Sequence, residues 1–180
     1  MTIEEAQREV RTVFLGGFPG GISSGLIWLA SAAAGTWGSK RVAILILVLG
    51  GALIFPIAQL ILRLMGRRAT LSPGNPMDQL AMQVVFTIPL TLPVVGAAAL
   101  YRLHWFYPAL LIVVGAHYLP FCFLYGMRVF AVLGGLMIVG GLAIGLYASS
   151  WFALGGWIGA AMLLSYAAWA FVALGRARTS

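Results

Sequence analysis

Residues 42–64 read VAILILVLGGALIFPIAQLILRL, an apolar run in which Gln59 and Arg63 are the polar exceptions. A helix needs about 20 apolar residues to cross the hydrocarbon core of a bilayer, and this run has that length. Runs of the same character cover residues 13–34, 80–100, 105–125, 129–148 and 152–174. The pattern therefore predicts an all-α, polytopic transmembrane bundle of about six helices.

The composition also indicates a protein embedded in lipid. Of the 180 residues, 62% are hydrophobic and 8% are charged, whereas soluble domains carry about 25% charged residues. The formal net charge is +7. The basic residues stand at the ends of the apolar runs, where they favour an orientation in the membrane rather than nucleic-acid binding. We therefore expect membrane lipid as a partner and no nucleic acid.

The chain divides into a short N-terminal segment, one membrane domain and a tail. In residues 1–12, Thr2 followed by Glu5 fits a capping box, which predicts a short amphipathic helix. We expect this helix to continue into the first span. A single six-helix transmembrane domain then occupies residues 13–174, and residues 175–180 form a tail.

Lysine and arginine are distributed unequally between the two sides of six antiparallel spans. The N-terminal side carries Arg8, Arg11, Arg63, Arg67, Arg68, Arg128, Arg176 and Arg178, and the other side carries Lys40, Arg41 and Arg102. Because basic residues favour the cytoplasm, both termini, including the N-terminal helix and the tail, are predicted to be cytoplasmic. An outer aromatic belt is predicted from Trp37, Tyr101, Trp105, Tyr107, Tyr147 and Trp151.

Glycine and proline recur within the predicted spans. Glycines at four-residue offsets, such as Gly141 and Gly145, let helix backbones approach closely, either within one chain or in a homo-oligomer. Prolines within a span remove a backbone hydrogen bond and are expected to kink the helix, either as packing features or beside a transport cavity. These prolines are Pro19, Pro56, Pro89, Pro93 and Pro120.

A few polar side chains fall at membrane depth, where they are costly unless they face protein or water. Their positions predict a cavity in the cytoplasmic half, which is lined by Gln59, Gln83, His117 and Tyr118. The mouth of this cavity is predicted to carry Arg11, Arg63, Asp78, Tyr125 and Arg128. A small-molecule or lipid ligand would occupy it.

His117 is the candidate catalytic residue, because a histidine at this depth can relay protons, anchor a ligand or act as a general base. The alternative is a structural histidine that is bonded to a glutamine or to a carbonyl freed by a proline. Without a second histidine, a cysteine or an acidic residue nearby, His117 makes a poor metal ligand. We expect no metal and no cofactor.

Several short motifs resemble those of a known family. They are LGGFPG at 15–20, FP at 55–56, AMQ at 81–83, WFYP at 105–108, GAHYLPF at 115–121 and LYGMR at 124–128. Together they resemble DUF7010, a bacterial family of uncharacterised membrane proteins. The resemblance implies a multi-span fold and the bacterial inner membrane, and it implies no activity.

Three functions remain open at this point. The favoured one is a transporter or channel for a small solute, with its cavity around His117. The second is an intramembrane lipid hydrolase, in which a hydroxyl group acts with His117. The candidate hydroxyl groups are those of Ser23, Ser24, Thr87 and Thr91. The third is a non-catalytic lipid-binding protein or complex subunit.

Overall fold

The structure is a computed structural model that describes residues 1–148 and 150–176. Its helices are α1 (Ile3–Val13), α2 (Phe18–Trp37), α3 (Lys40–Leu64), α4 (Met77–Tyr101), α5 (Phe106–Tyr125), α6 (Val129–Tyr147) and α7 (Leu154–Arg176). Single 3-10 turns at Leu15–Gly17 and Leu103–Trp105 precede α2 and α5. The predicted tail lies outside the described residues from residue 177 onward, and so does Arg178.

Helices α3 to α7 are each long and apolar enough to cross a membrane. The bent pair formed by α1 and α2 can supply a sixth crossing. The all-α bundle of about six spans is thereby confirmed.

The N-terminal helix and the first span are separated by a bend that was not predicted from the sequence. The chain bends by 63° between α1 and α2. At the bend, Leu15, Gly16 and Gly17 have φ angles of 49°, 58° and 83°. Glycine adopts positive φ without the steric penalty of a Cβ atom, so the glycine pair allows the turn. Pro19 consequently falls in the first turn of α2, where proline fits without breaking the helix.

The other four in-span prolines lie inside helices that continue across them. Pro56 is in α3, Pro89 and Pro93 are in α4, and Pro120 is in α5. A kink at each of these prolines stays a prediction.

The helices form an open series of neighbours in the order α3, α2, α7, α5 and α4, and α6 packs on α5 and α7. Helix α3 therefore packs mainly along α2, and α4 packs mainly along α5. Within their apolar windows, 6% of α3 and 11% of α4 is buried, compared with 39% to 44% for α5, α6 and α7. Helices α3 and α4 are thus the two most exposed spans.

Glycines bring α5 and α6 into backbone contact. A Cβ atom built on Gly115 would lie 2.6 Å from the carbonyl oxygen of Gly134. One built on Gly141 would lie 2.7 Å from the carbonyl oxygen of Pro108. At these positions the glycine-rich faces are filled by other helices of the same chain. A homo-oligomer through such faces stays a prediction.

We predict that Gly115→Ala lowers the free energy of unfolding by about 1–3 kcal/mol, because the added methyl group forces two backbones apart. The matched control is Gly135→Ala on α6, since a Cβ atom there meets nothing within 4 Å. That variant should be neutral or more stable by up to about 1 kcal/mol, because alanine favours helix. Equilibrium unfolding in detergent measures both, and equal effects would contradict the close approach.

Candidate functional site

His117 joins α5 to α4 through a hydroxyl group. Its Nδ1 atom lies 2.7 Å from Oγ1 of Thr87. The same hydroxyl lies 2.7 Å from the carbonyl oxygen of Val84, one turn earlier in α4. The single hydroxyl proton serves one of these acceptors at a time, and the tautomer of His117 is set by that choice. Among the residues that the structure describes, this pair forms the side-chain hydrogen bond between α4 and α5.

Thr87 is the one of the four candidate hydroxyl residues that the structure places against His117. Thr91 donates to the carbonyl oxygen of Thr87 at 2.7 Å, and Ser23 donates to that of Pro19 at 2.7 Å. Both of these bonds stay within their own helix. Ser24 is buried on α2.

The remaining residues of the predicted cavity take different environments. Tyr118 is buried, and its ring centroid lies 5.9 Å from that of His117. Gln83 is exposed one turn before Thr87 on α4, and Gln59 is half-buried on α3. Among the described residues, no hydrogen bond joins either glutamine to His117. A cavity shared by all four residues stays a prediction.

An aromatic cluster beside His117 was not predicted from the sequence. Phe130 of α6 is at its centre, with ring centroids 6.0 Å from Tyr118, 4.9 Å from Tyr125 and 5.2 Å from Tyr166. The hydroxyl of Tyr166 donates to the carbonyl oxygen of Gly16, so the cluster ties α7 to the bend before α2. The spacing of Tyr118 and Tyr125, seven residues apart on one face of α5, was the available signal.

Two of the predicted mouth residues meet at the end of α5. Arg11 of α1 donates through Nη1 to the carbonyl oxygen of Tyr125 at 2.5 Å. Gln7 donates through Nε2 to that of Phe123 at 2.5 Å. The last carbonyl groups of a helix have no partner inside it, and a basic residue there also favours the helix dipole. Helix α1 therefore caps α5.

The other mouth residues, Arg63, Asp78 and Arg128, are exposed on the same side of the bundle. Among the described residues, the ion pair present is the exposed one between Arg8 and Glu4. Of the predicted mouth residues, Arg11 contacts a backbone carbonyl through its side chain, while Arg63, Asp78 and Arg128 are exposed. A cavity mouth formed by all five residues stays a prediction.

Helix α1 also holds the segment between α3 and α4. The carboxylate of Glu9 accepts from the backbone N–H of Ser72 at 2.6 Å and from Nδ2 of Asn75 at 2.8 Å. Asn75 is buried, and its Oδ1 accepts from the backbone N–H of Met77 at the start of α4. The hydrogen bonds from Ser72 and Asn75 lower the pKa of Glu9, because they stabilise its charged form.

The prediction that Tyr107 belongs to the outer aromatic belt is wrong. Tyr107 is fully buried, and its hydroxyl lies 2.6 Å from Oγ of Ser31. Ser31 in turn donates to the carbonyl oxygen of Ala43 in α3 at 2.8 Å. Trp37, Tyr101, Tyr147 and Trp151 are exposed as a belt requires, and Trp105 is half-buried. Adjacent glycines, Gly155 and Gly156 of α7, make room for the Tyr107 ring.

A cleft of about 360 Å³ separates α3 from α4. We call it the α3–α4 cleft, and its lining residues are Ile44, Val48, Leu92, Val95, Gly96, Ala99, Leu100, Leu103 and Phe106. All of these residues are apolar. A smaller cleft of about 130 Å³ lies beside Arg11 and Gly16, at the opposite side of the bundle.

Fold and site together define a small polytopic α-helical membrane protein with an apolar cleft between two spans. The chain belongs to DUF7010, a family of unknown function, whose model matches residues 3–174. Comparison with the curated proteins and with the solved structures gave no match.

We predict that protonation of Glu9 releases the segment between α3 and α4. Because the pKa of Glu9 is lowered in the folded protein, its contribution to stability is complete above the unfolded pKa. That contribution is lost as the pH falls through the folded value. Amide-exchange protection factors of residues 65–76 should therefore decrease below about pH 4.5.

In Glu9→Gln the protection factors of this segment should be low and nearly independent of pH. The control is Glu4→Gln, in which protection of residues 65–76 should depend on pH as it does in the wild type. Unchanged protection in Glu9→Gln would contradict it.

We predict an energetic coupling between Thr87 and His117. In a double-mutant cycle of Thr87→Val and His117→Ala, the coupling should be about 0.6–1.7 kcal/mol, the size found for hydrogen bonds between membrane helices. The control is a second cycle, of Thr91→Val and His117→Ala. The Thr91 hydroxyl donates within α4, so this cycle should give a coupling near zero. Equal couplings in the two cycles would show that the bond across the helices contributes nothing.

Proposed function

We propose that the protein binds membrane lipid and that an acyl chain occupies the α3–α4 cleft. The observation that carries this proposal is the cleft itself, which is apolar along its length and lies between the two most exposed spans. The surrounding medium at that level is hydrocarbon.

The cleft is open to its surroundings rather than enclosed, so hydrocarbon of the membrane has access to it. From Leu92 to Ala99 the cleft follows α4 for about 10 Å, at about 1.5 Å per residue. An acyl chain matches the polarity and direction of the cleft, which would hold part of its length.

We also propose the bacterial inner membrane as the location, with both termini in the cytoplasm. The support is the distribution of charge, since α1, the segment between α3 and α4, and the turn before α6 carry Arg8, Arg11, Arg67, Arg68 and Arg128 on one side. Short basic connections favour the cytoplasmic side.

A lipid hydrolase is the second candidate, and the distance between Thr87 and His117 favours it. Two features count against it. The acidic residues of the chain, Glu4, Glu5, Glu9 and Asp78, all lie outside the predicted spans, so none can orient His117 from membrane depth. His117 also lies eleven residues beyond Phe106 on one face of α5, about 16 Å deeper than the end of the cleft that Phe106 lines. The ester groups of a lipid in the cleft would stay near the membrane surface.

The sequence favoured transport of a small solute. That hypothesis rests on His117, the two glutamines and the in-span prolines. A polar solute needs polar groups along its path, and the lining of the α3–α4 cleft is apolar. We therefore rank transport behind lipid binding.

Lipid binding is tested by a substitution that fills the cleft with a bulky side chain. Gly96 lines the cleft, and a Cβ atom there meets nothing within 4 Å, so Gly96→Phe should fold normally and occupy the acyl-chain position. The protein is placed in nanodiscs that contain a phospholipid with a photoreactive acyl chain, and labelled residues are mapped by mass spectrometry. We expect labelling at Ile44, Val48 and Leu92 in the wild type and at least a fivefold loss in Gly96→Phe.

The matched control is Gly135→Phe on α6, which is equally unobstructed and lies outside the cleft. It should keep the wild-type labelling. Uniform labelling of all lipid-facing residues, with no effect of Gly96→Phe, would refute the proposal. Release of free fatty acid that is lost in Thr87→Val would instead support the hydrolase.

A further inference from the structure

The three basic residues on the side of the bundle opposite α1 all flank one end of the α3–α4 cleft. Lys40 and Arg41 are the first two residues of α3, and Arg102 directly follows α4. Ile44, one turn after Lys40, lines the cleft, and so does Leu103, the neighbour of Arg102. Basic charge on this side of the bundle is therefore concentrated at one end of the cleft.

Contacts of Lys40 connect it to the cleft wall. Its Nζ atom lies 5.6 Å from the ring centroid of Phe152. That ring stacks on Phe106, with centroids 6.4 Å apart, and Phe106 lines the cleft. Arg102 lies over the exposed ring of Tyr101, with its guanidinium carbon 5.5 Å from the centroid. Both cations are thus held beside aromatic rings at the membrane surface.

Acidic partners for these cations are missing. Glu4, Glu5, Glu9 and Asp78 belong to α1 and to the start of α4, at the other side of the bundle. Within residues 1–148 and 150–176, none of the three basic side chains forms an ion pair. This end of the cleft is therefore flanked by three basic side chains that form no ion pair among the described residues.

We propose that the cleft selects a phospholipid with a net anionic headgroup. This inference rests on the lipid-binding function proposed above. The acyl chain lies between α3 and α4, and the headgroup contacts Lys40, Arg41 and Arg102. A zwitterionic headgroup presents the same phosphate together with a cation, which these three residues disfavour.

A second copy of the chain suits this position less well than a lipid. In a two-fold symmetric dimer through α3 and α4, each surface meets its own equivalent. The same three cations would then face one another without acidic residues to pair with them. An anionic lipid removes this repulsion.

The experiment compares two photoreactive phospholipids with identical acyl chains in nanodiscs, one with a phosphatidylglycerol headgroup and one with phosphatidylcholine. We expect cleft labelling in the wild type to favour phosphatidylglycerol by on the order of a hundredfold, since the three basic residues contribute about fivefold each near an anionic group. The double variant Arg41→Gln with Arg102→Gln should lower the ratio to about fivefold, the contribution of the remaining Lys40. Raising the salt concentration to about 0.5 M should also lower it, because these charges are exposed.

The matched control, Arg63→Gln with Arg68→Gln, removes the same charge from two exposed residues on the other side of the bundle and should leave the ratio unchanged. If the two lipids label the wild-type cleft equally and Gly96→Phe still abolishes that labelling, headgroup selection is overturned and lipid binding stays intact. Absence of cleft labelling by either lipid would overturn both proposals. An equal decrease of the labelling ratio in both double variants would show a general effect of net charge. It would likewise refute selection by these three residues.

Discussion

The hydrogen bonds of α1 connect parts of the bundle that lie far apart in the sequence. Arg11 and Gln7 satisfy the last carbonyl groups of α5, while Glu9 holds Ser72 and Asn75 ahead of α4. Uncapped carbonyl groups at a buried helix end are costly, and α1 supplies their partners. The bend at Gly16 and Gly17 is what allows α1 to lie beneath the bundle rather than continue along α2.

This arrangement explains why the cleft opens where it does. Helices α3 and α4 are joined at the α1 side by a segment that Glu9 and Asn75 secure. At the opposite side, α3 is held to α2 by the bond from Ser31 to Ala43, and α4 leads into α5 through the turn at Leu103–Trp105. The two spans are thus fixed to different neighbours, and an apolar cleft remains between them.

The membrane spans could be predicted from the sequence because hydrophobic length is a local property. The bend between α1 and α2 could not, since hydropathy carries no information on φ, although Leu15-Gly16-Gly17 contains the residues that a turn requires. Tyr107 was assigned to the outer belt because it stands near the end of a span. Its burial depends on Ser31 and on the paired glycines of α7, which are distant in the sequence.

The candidate site was predictable only in part. The depth of His117 follows from its position in the span, and Thr87 was among the hydroxyl groups considered for it. The direction of Gln59 and Gln83 depends on how α3 and α4 rotate against their neighbours, which a single sequence does not determine. The cleft was missed altogether, because its lining has the same composition as every other apolar face.

The central claim is that a lipid chain, and not another helix, separates α3 from α4. A density map of the protein in a lipid nanodisc, obtained by electron cryomicroscopy with a bound antibody fragment, tests it most directly. The account predicts elongated density between the two helices that reaches the level of Val48 and Leu92. Direct packing of α3 against α4, or side chains of a second copy in that space, would contradict it.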